Sequence, residues 1–432
     1  MVKNRLLGTS LLVVIALIGQ SSSVANAANA VGKVCTQLGK ISKSTFGDQL
    51  ICEKSGKKLI WKKKIAPPLP VVIDLSKTSS LSPGNLFSEV SKCKISDSSY
   101  SRDVSLGFPR PVGIAASKST YKALVIPVSF SDAPFTDYDL EYLKENVAEV
   151  NQYYKLQSLE KIQISFTYPE KSKWVTFSDQ RSDHGLATKI FLESKQSLVS
   201  EVLAKTDSDL RVTEYDFLLV QTAIWADSGW GMAFPTSSFS TPSGQVKSTV
   251  FLAGFSAGQW FVIAHEIGHA LFAFEDLYSY AATKDRTFAF SGTKNWDLMS
   301  NAGGFYLGLF SWQRFLTGWI QDSQVACLSN TGNYQIYLAP LDLVANVQKS
   351  VQIPLEPGVI LVAESRKTSK YDSRVGSGGT LVYVVNTQIN SGSEPITVLG
   401  FLAKGQTATY KNVEITSLDS NSTGELVSVK IN

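Results

Sequence analysis

Histidine is scarce in this chain, with three among 432 residues; methionine is as rare, and cysteine occurs four times. Charge is also thin, at 18% of residues, and the formal net charge is only +4. The lysines between Lys57 and Lys64 supply much of that excess, which leaves no broad basic face for nucleic acid and excludes that class of partner. Beyond the first residues no apolar run is long enough to read as a membrane-spanning helix, so no transmembrane anchor is expected. What the chain does have is apolar substance: 44% of residues are hydrophobic, enough for two packed domains and a small appendage.

The start of the chain points to export. Lys3 and Arg5 precede an apolar run from Leu6 to Ile18, then Ser21, Ser22 and Ser23, then Ala25, Asn26 and Ala27. That order reads as a secretory signal peptide over residues 1–27, with a second small-residue triplet at Ala28, Asn29 and Ala30. Gly32, Lys33 and Val34 before Cys35 are a poor context for a lipidated cysteine, so a released, extracellular protein is expected. On the oxidising side of a membrane an even number of cysteines defaults to disulfides, not metal ligation. The parsimonious pairing is Cys35 with Cys52 and Cys93 with Cys327, one of three that four cysteines permit. A rival use of Cys93 is latency, its thiolate blocking a downstream metal.

Residues 28–64 read as a small basic β module that needs a disulfide staple, and residues 65–118, opened by Pro67, Pro68 and Pro70, as a linker or propeptide. The plain reading of the lysines is a protected strand edge; the alternative is association with the cell envelope. From residue 119 to 322 strands alternate with helices, which predicts an α/β (α+β) domain. Strands fall at Ala123 to Phe130, Ile162 to Tyr168, Tyr215 to Thr222 and Ser248 to Ala253, and helices at Tyr138 to Tyr154 and between Gly185 and Ala204. Residues 323–432 lose helical periodicity and predict an all-β sandwich.

The run WFVIAHEIGHALFA, Trp260 to Ala273, carries the chemistry. In a helix His265 and His269 lie one turn apart on one face, about 5–6 Å between their Cβ atoms, so one cation can bridge them. Zinc suits two imidazoles, and Glu266 would stand beside its water as general base. A charged carboxylate within so apolar a helix is costly to bury without such a partner. The third ligand is open among Glu275, Asp276, Asp285 and Asp297. If the helix continued, Asp276 would lie about 10 Å along the axis from His269, so the chain must turn soon after it. His184 sits in a polar Asp-His-Gly loop, where a packing role outweighs a ligand role.

Three stretches together resemble the immune inhibitor A family of secreted bacterial metallopeptidases, within the metzincin group. They are HEIGHAL with Asp276-Leu277-Tyr278, Asn295 to Ser300 (NWDLMS), and Ser311-Trp312 through Leu316-Thr317-Gly318-Trp319-Ile320. The resemblance implies a metzincin-like zincin domain, zinc as cofactor, and endopeptidase activity on protein or peptide substrates. It carries the third ligand onto Asp276 and the buried methionine under the metal onto Met299. Phe272 stands where the family's turn has glycine, and one extra residue separates His269 from Asp276. Strict counting therefore selects Glu275 as the alternative ligand. Asp297 would either accept a hydrogen bond from a ligand histidine or cap a turn beside Trp296. Tyr278, Tyr280 or Tyr306 would donate to an oxyanion or simply pack. Calcium, found among such relatives, has no EF-hand-like acidic loop here. Ser248 to Ala253 would be either the sheet edge that pairs with substrate or a buried strand. The rivals to a peptidase are an envelope-binding or adhesive protein with a structural or decayed zinc site, and a zinc hydrolase acting on a non-peptide bond.

Overall fold

The structure is a computed structural model and describes residues 31–44, 49–64, 87–97, 103–111, 118–186, 192–226, 230–235, 239–254, 260–279, 292–302 and 306–432. The signal-peptide reading of residues 1–27 lies outside them. No helix of the described residues is long and apolar enough to cross a membrane. The chain divides into two compact units, Met1–Val72 and Ile73–Asn432.

In the first unit β1 (Ile41–Lys43), β2 (Gln49–Ser55) and β3 (Lys58–Lys63) form an antiparallel meander. Period-2 alternation sends Leu50 and Cys52 of β2, and Trp61 of β3, to one face. With Cys35 these make a core of four buried residues, too small to hold without a covalent staple, and Cys35 is bonded to Cys52.

The second unit begins with an open sheet. Its strands are β4 (Thr120–Ser129), β5 (Gln163–Thr167), β6 (Val175–Thr176), β7 (Phe217–Thr222), β8 (Trp230–Phe234) and, after the small ribbon β9 (Ser240–Thr241) and β10 (Gly244–Gln245), β11 (Thr249–Ala253). The order is β5-β4-β7-β11-β8, parallel except for β8, which runs antiparallel to β11 at the edge; β6 extends the pairing of β4. The inner strands are apolar at nearly every position because both faces are covered. Tyr121, Ala123 and Val125 of β4 meet α1 (Asp137–Gln157) and α3 (Trp260–Phe272), whereas Leu124, Ile126 and Val128 meet α2 (Leu192–Ala204). Thr136 and Asp139 close a capping box at the start of α1, and Asp139 Oδ1 also accepts from the Ile224 amide at 2.8 Å. Of the two readings of Ser248 to Ala253, the buried strand holds: β11 is flanked by β7 and β8, and β5 and β8 are the edges of the sheet.

After α4 (Ser311–Leu316) the chain is β-rich. β12 (Val325–Cys327), β14 (Ser350–Glu356), β15 (Val359–Arg366), β16 (Gly379–Asn386) and β17 (Ile396–Leu402) make one sheet. β13 (Gly332–Leu338), β18 (Thr407–Tyr410), β19 (Val413–Asn421) and β20 (Gly424–Ile431) make another. The two sheets share an apolar core. The five-stranded sheet has a second commitment. Val359, Leu361 and Ala363 of β15 face the sandwich, while Ile360 and Val362 enter the same core as α1 and α3. The expected boundary near residue 322 therefore separates two layers of one unit. Glu364 anchors the contact, accepting from the Ser311 amide (2.7 Å), Tyr383 Oη (2.8 Å) and Arg366 Nε (2.6 Å).

The described parts of residues 65–118 are not a solvated spacer. Cys93, Ile95 and Leu106 are core residues, Cys93 is bonded to Cys327, and Trp312 Nε1 donates to the Leu106 carbonyl at 2.8 Å. With Cys93 in a disulfide, the thiolate-latency idea has no free thiol to act through.

Candidate metal centre

α3 is apolar on all sides because it is buried between α1, the sheet and the β-rich layer. A glycine inside a helix costs about 1 kcal/mol against alanine, so Gly268 needs a reason. A Cβ there would lie 2.8 Å from Met299 Sδ, which packs against the helix at this position. Met299 is fully buried, and its carbonyl accepts from the Leu277 amide at 3.1 Å, tying the turn to the segment that follows α3.

The helix ends at Ala273, whose backbone is left-handed (φ 49°), a conformation that non-glycine residues rarely adopt. Its amide returns to the His269 carbonyl and the Phe274 amide to that of Gly268, both at 3.1 Å. The chain thus reverses one residue later than the Phe272 position where the resemblance expects glycine. That delay accounts for the extra residue and delivers Asp276, not Glu275, to the histidines. Asp276 Oδ1 lies 3.0 Å from His265 Nε2 and 3.2 Å from His269 Nε2, and the two Nε2 atoms are 3.1 Å apart. Donors bound to one zinc at about 2.0–2.1 Å in a tetrahedron stand about 3.3 Å from each other, so the three atoms already have nearly the spacing such an ion requires. These three residues are the one His/Asp/Glu/Cys cluster among the described residues with metal-ligand spacing.

Both imidazoles are aimed by their second nitrogens. His265 Nδ1 faces the Leu298 carbonyl at 3.2 Å and His269 Nδ1 the Phe274 carbonyl at 2.5 Å, leaving each Nε2 for the cluster. Burial alone would raise the Asp276 pKa and lower that of His269. Their mutual attraction wins: Asp276 is held well below the usual carboxylate range and His269 is pushed up to about 9. The carboxylate charge concentrated here favours a cation between the three side chains.

Glu266 is buried beside the cluster, against β8. A Cβ on Gly231 would lie 2.6 Å from Glu266 Cγ and 2.8 Å from Oε1, so the missing side chain at Gly231 makes room for this carboxylate. No protein-family model and no curated protein matches the chain.

The other sequence candidates fall elsewhere. Glu275 is buried away from the histidines, with Arg110, Asp97 and the Leu106 amide as neighbours, and burial and then Asp97 push its pKa up to about 8. Asp297 does not hydrogen-bond to His265 or His269. Its carboxylate accepts from the amides of Met299 (2.8 Å) and Phe310 (2.7 Å) and from Gln313 Nε2 (3.3 Å), bracing the turn that holds Met299. Burial outweighs those donors and pushes its pKa up to about 7. Tyr278 stacks on His265 with ring centroids 6.3 Å apart, whereas Tyr306 packs on Trp260 at 5.5 Å. Tyr280 and Asp285 lie outside the described residues. His184 is remote, on the α2 side of the sheet, between Asp179 and Glu201.

Sequence reasoning missed three positioning elements. Gly231 carried no signal beyond being a glycine in an apolar run. Ser391, in the β16–β17 loop, accepts from the Asp276 amide at 2.9 Å, and the Gly392 amide donates to the Asp276 carbonyl at 2.9 Å. Arg110 donates to the carbonyls of Phe272 (2.6 Å) and Ala273 (3.0 Å) at the helix exit.

Proposed function

We propose that this chain is a secreted zinc-dependent endopeptidase with a metzincin-like catalytic domain. The observation that carries the reading is the convergence of His265 Nε2, His269 Nε2 and Asp276 Oδ1 within bonding range of one ion, with Glu266 next to them. The left-handed exit from α3 and the methionine under Gly268 support the metzincin part. The two disulfides agree with an exported protein.

When bound, zinc supplies Lewis-acid polarisation of the scissile carbonyl and lowers the pKa of water to about 7. The chain's own residues do the rest. Glu266 takes the proton of the attacking water and returns it to the leaving amine nitrogen. Leu298 and Phe274 fix the imidazole orientations through their carbonyls, and the β16–β17 loop fixes the backbone of Asp276. β8 supplies the substrate shelf: it is an edge of the sheet, it passes over Glu266 at Gly231, and an extended peptide can pair with it by strand addition.

Casein cleavage by the mature protein tests the reading, with metal content measured on the same samples. Expected are stoichiometric zinc, loss of cleavage on chelation with recovery on zinc addition, and loss of at least a hundredfold in Glu266→Gln with zinc retained. Cleavage that survives both chelation and Glu266→Gln would sink the proposal. Zinc retained by a wild type that cleaves neither peptides nor esters would favour a structural site.

A further inference from the structure

The first unit spends only one face of its three-stranded sheet on its core. Leu50, Cys52 and Trp61 point to that face, so the pleat sends Ile41, Ile51 and Ile60 to the other. The register aligns them: Ile41 stands opposite Ile51, Ile60 is diagonal to Ile51, and Val34 bridges to Ile60. The result is an aliphatic row across neighbouring strands, about 15 Å long at about 4.8 Å per strand. Its ends are open to solvent, Val34 being 67% and Ile41 51% exposed.

Charge surrounds the row. Residues 31–64 contain nine lysines, no arginine, and two acids, Asp48 and Glu53. Lys43, Lys58 and Lys62 share the open face by their strand positions, and Glu53 on that face pairs with Lys62 at 3.3 Å. Lysine without arginine gives point charges on flexible stems, which suits a diffuse anionic surface more than bidentate recognition of one phosphate. Trp61 is buried on the opposite face, so among the described residues of the module no ring platform is offered to a sugar or a base.

We infer that this face docks on an anionic lipid surface, the aliphatic row entering the headgroup boundary while the lysines engage the charged headgroups. A soluble polyanion would satisfy the lysines and leave the row exposed; a lipid surface takes both. The module would hold the chain at a membrane through this face. This inference is independent of the metal site.

The test is co-sedimentation of the full mature chain, disulfides intact, with vesicles of phosphatidylcholine alone or with about one third phosphatidylglycerol. Binding is expected to the mixed vesicles only and to weaken with salt. Replacing Lys43, Lys58 and Lys62 together by glutamine should lower the partition constant on the order of a hundredfold. Val34→Ser with Ile41→Ser, which leaves the charge unchanged, should lower it on the order of tenfold or more. Retention of the Cys35–Cys52 link in a non-reducing peptide map shows that each variant keeps its fold. Failure of the wild type to bind the mixed vesicles overturns the proposal. So does full binding by the aliphatic variant, which would mark a plain polyanion surface, or a change in that variant confined to self-association.

Discussion

Arg110 donates a 3.0 Å hydrogen bond to the carbonyl of Ala273, the left-handed residue that takes the chain out of the histidine helix. The same guanidinium reaches the Phe272 carbonyl, and the Ser105 amide reaches that of Ala273 at 3.0 Å. A helix end leaves carbonyls unsatisfied, and burying them without donors is costly. The segment upstream of the sheet therefore serves as the cap of α3, and the position of Asp276 depends on it. Arg110→Met should weaken zinc binding by about tenfold to a hundredfold, the usual effect of removing support behind a ligand, as read by competition with a chromophoric chelator. Unchanged affinity would show that the segment only packs.

The strain at Ala273 is separable from its position. A left-handed backbone costs an L-residue about 1–2 kcal/mol, and glycine avoids that at some expense in unfolded-chain entropy. Ala273→Gly is accordingly expected to stabilise the zinc-bound protein by about 0.5–1 kcal/mol in urea titration, with casein cleavage unchanged. A loss of stability would mean that the alanine methyl group contributes packing worth more than the strain.

How far the site was legible in the sequence follows from how local each part is. His265, Glu266 and His269 are set by helix periodicity alone, so three residues sufficed to find them. Asp276 against Glu275 depends on where the helix stops, and that is fixed by Arg110 from 163 residues upstream. No local pattern contains it. Four strands of the sheet were readable from their apolar runs, but Trp230–Phe234 was not singled out as a strand, and whether Thr249–Ala253 lies inside the sheet or at its edge stayed open, because strand order is a property of the topology. Likewise the continuous apolar run of β15, Val359 to Ala363, marked a strand without revealing that it serves two cores, one face in the sandwich and the other, Ile360 and Val362, in the core that holds α1 and α3.

Gly231 offers the sharpest test of the general base, because it alters Glu266 without touching a ligand. With 2.6 Å between the added Cβ and Glu266 Cγ, either the carboxylate or β8 must move. Gly231→Ala should retain stoichiometric zinc and lose on the order of a hundredfold in kcat, within the range contributed by a positioned acid–base group. Full activity in this variant would show that β8, not the Glu266 carboxylate, yields to the added methyl group.

The remaining histidine predicts a pH dependence of folding that is independent of catalysis. His184 Nδ1 lies 2.7 Å from Glu201 on α2 and Nε2 3.1 Å from Asp179 beyond β6, and its ring packs on Phe177 and Phe130. Burial pulls its pKa down, but the two carboxylates outweigh burial and leave it raised, while Asp179 is lowered by the same contact and by Lys205. A histidine whose folded pKa exceeds its unfolded value of about 6.5 binds its proton more tightly when folded. Its contribution is therefore complete below about pH 6.5 and disappears as pH rises through the higher folded value. Urea midpoints measured across that range should fall more steeply for the wild type than for His184→Gln, with the two curves converging at the alkaline end. Parallel curves would show that the proton on His184 does not couple α2 to the sheet.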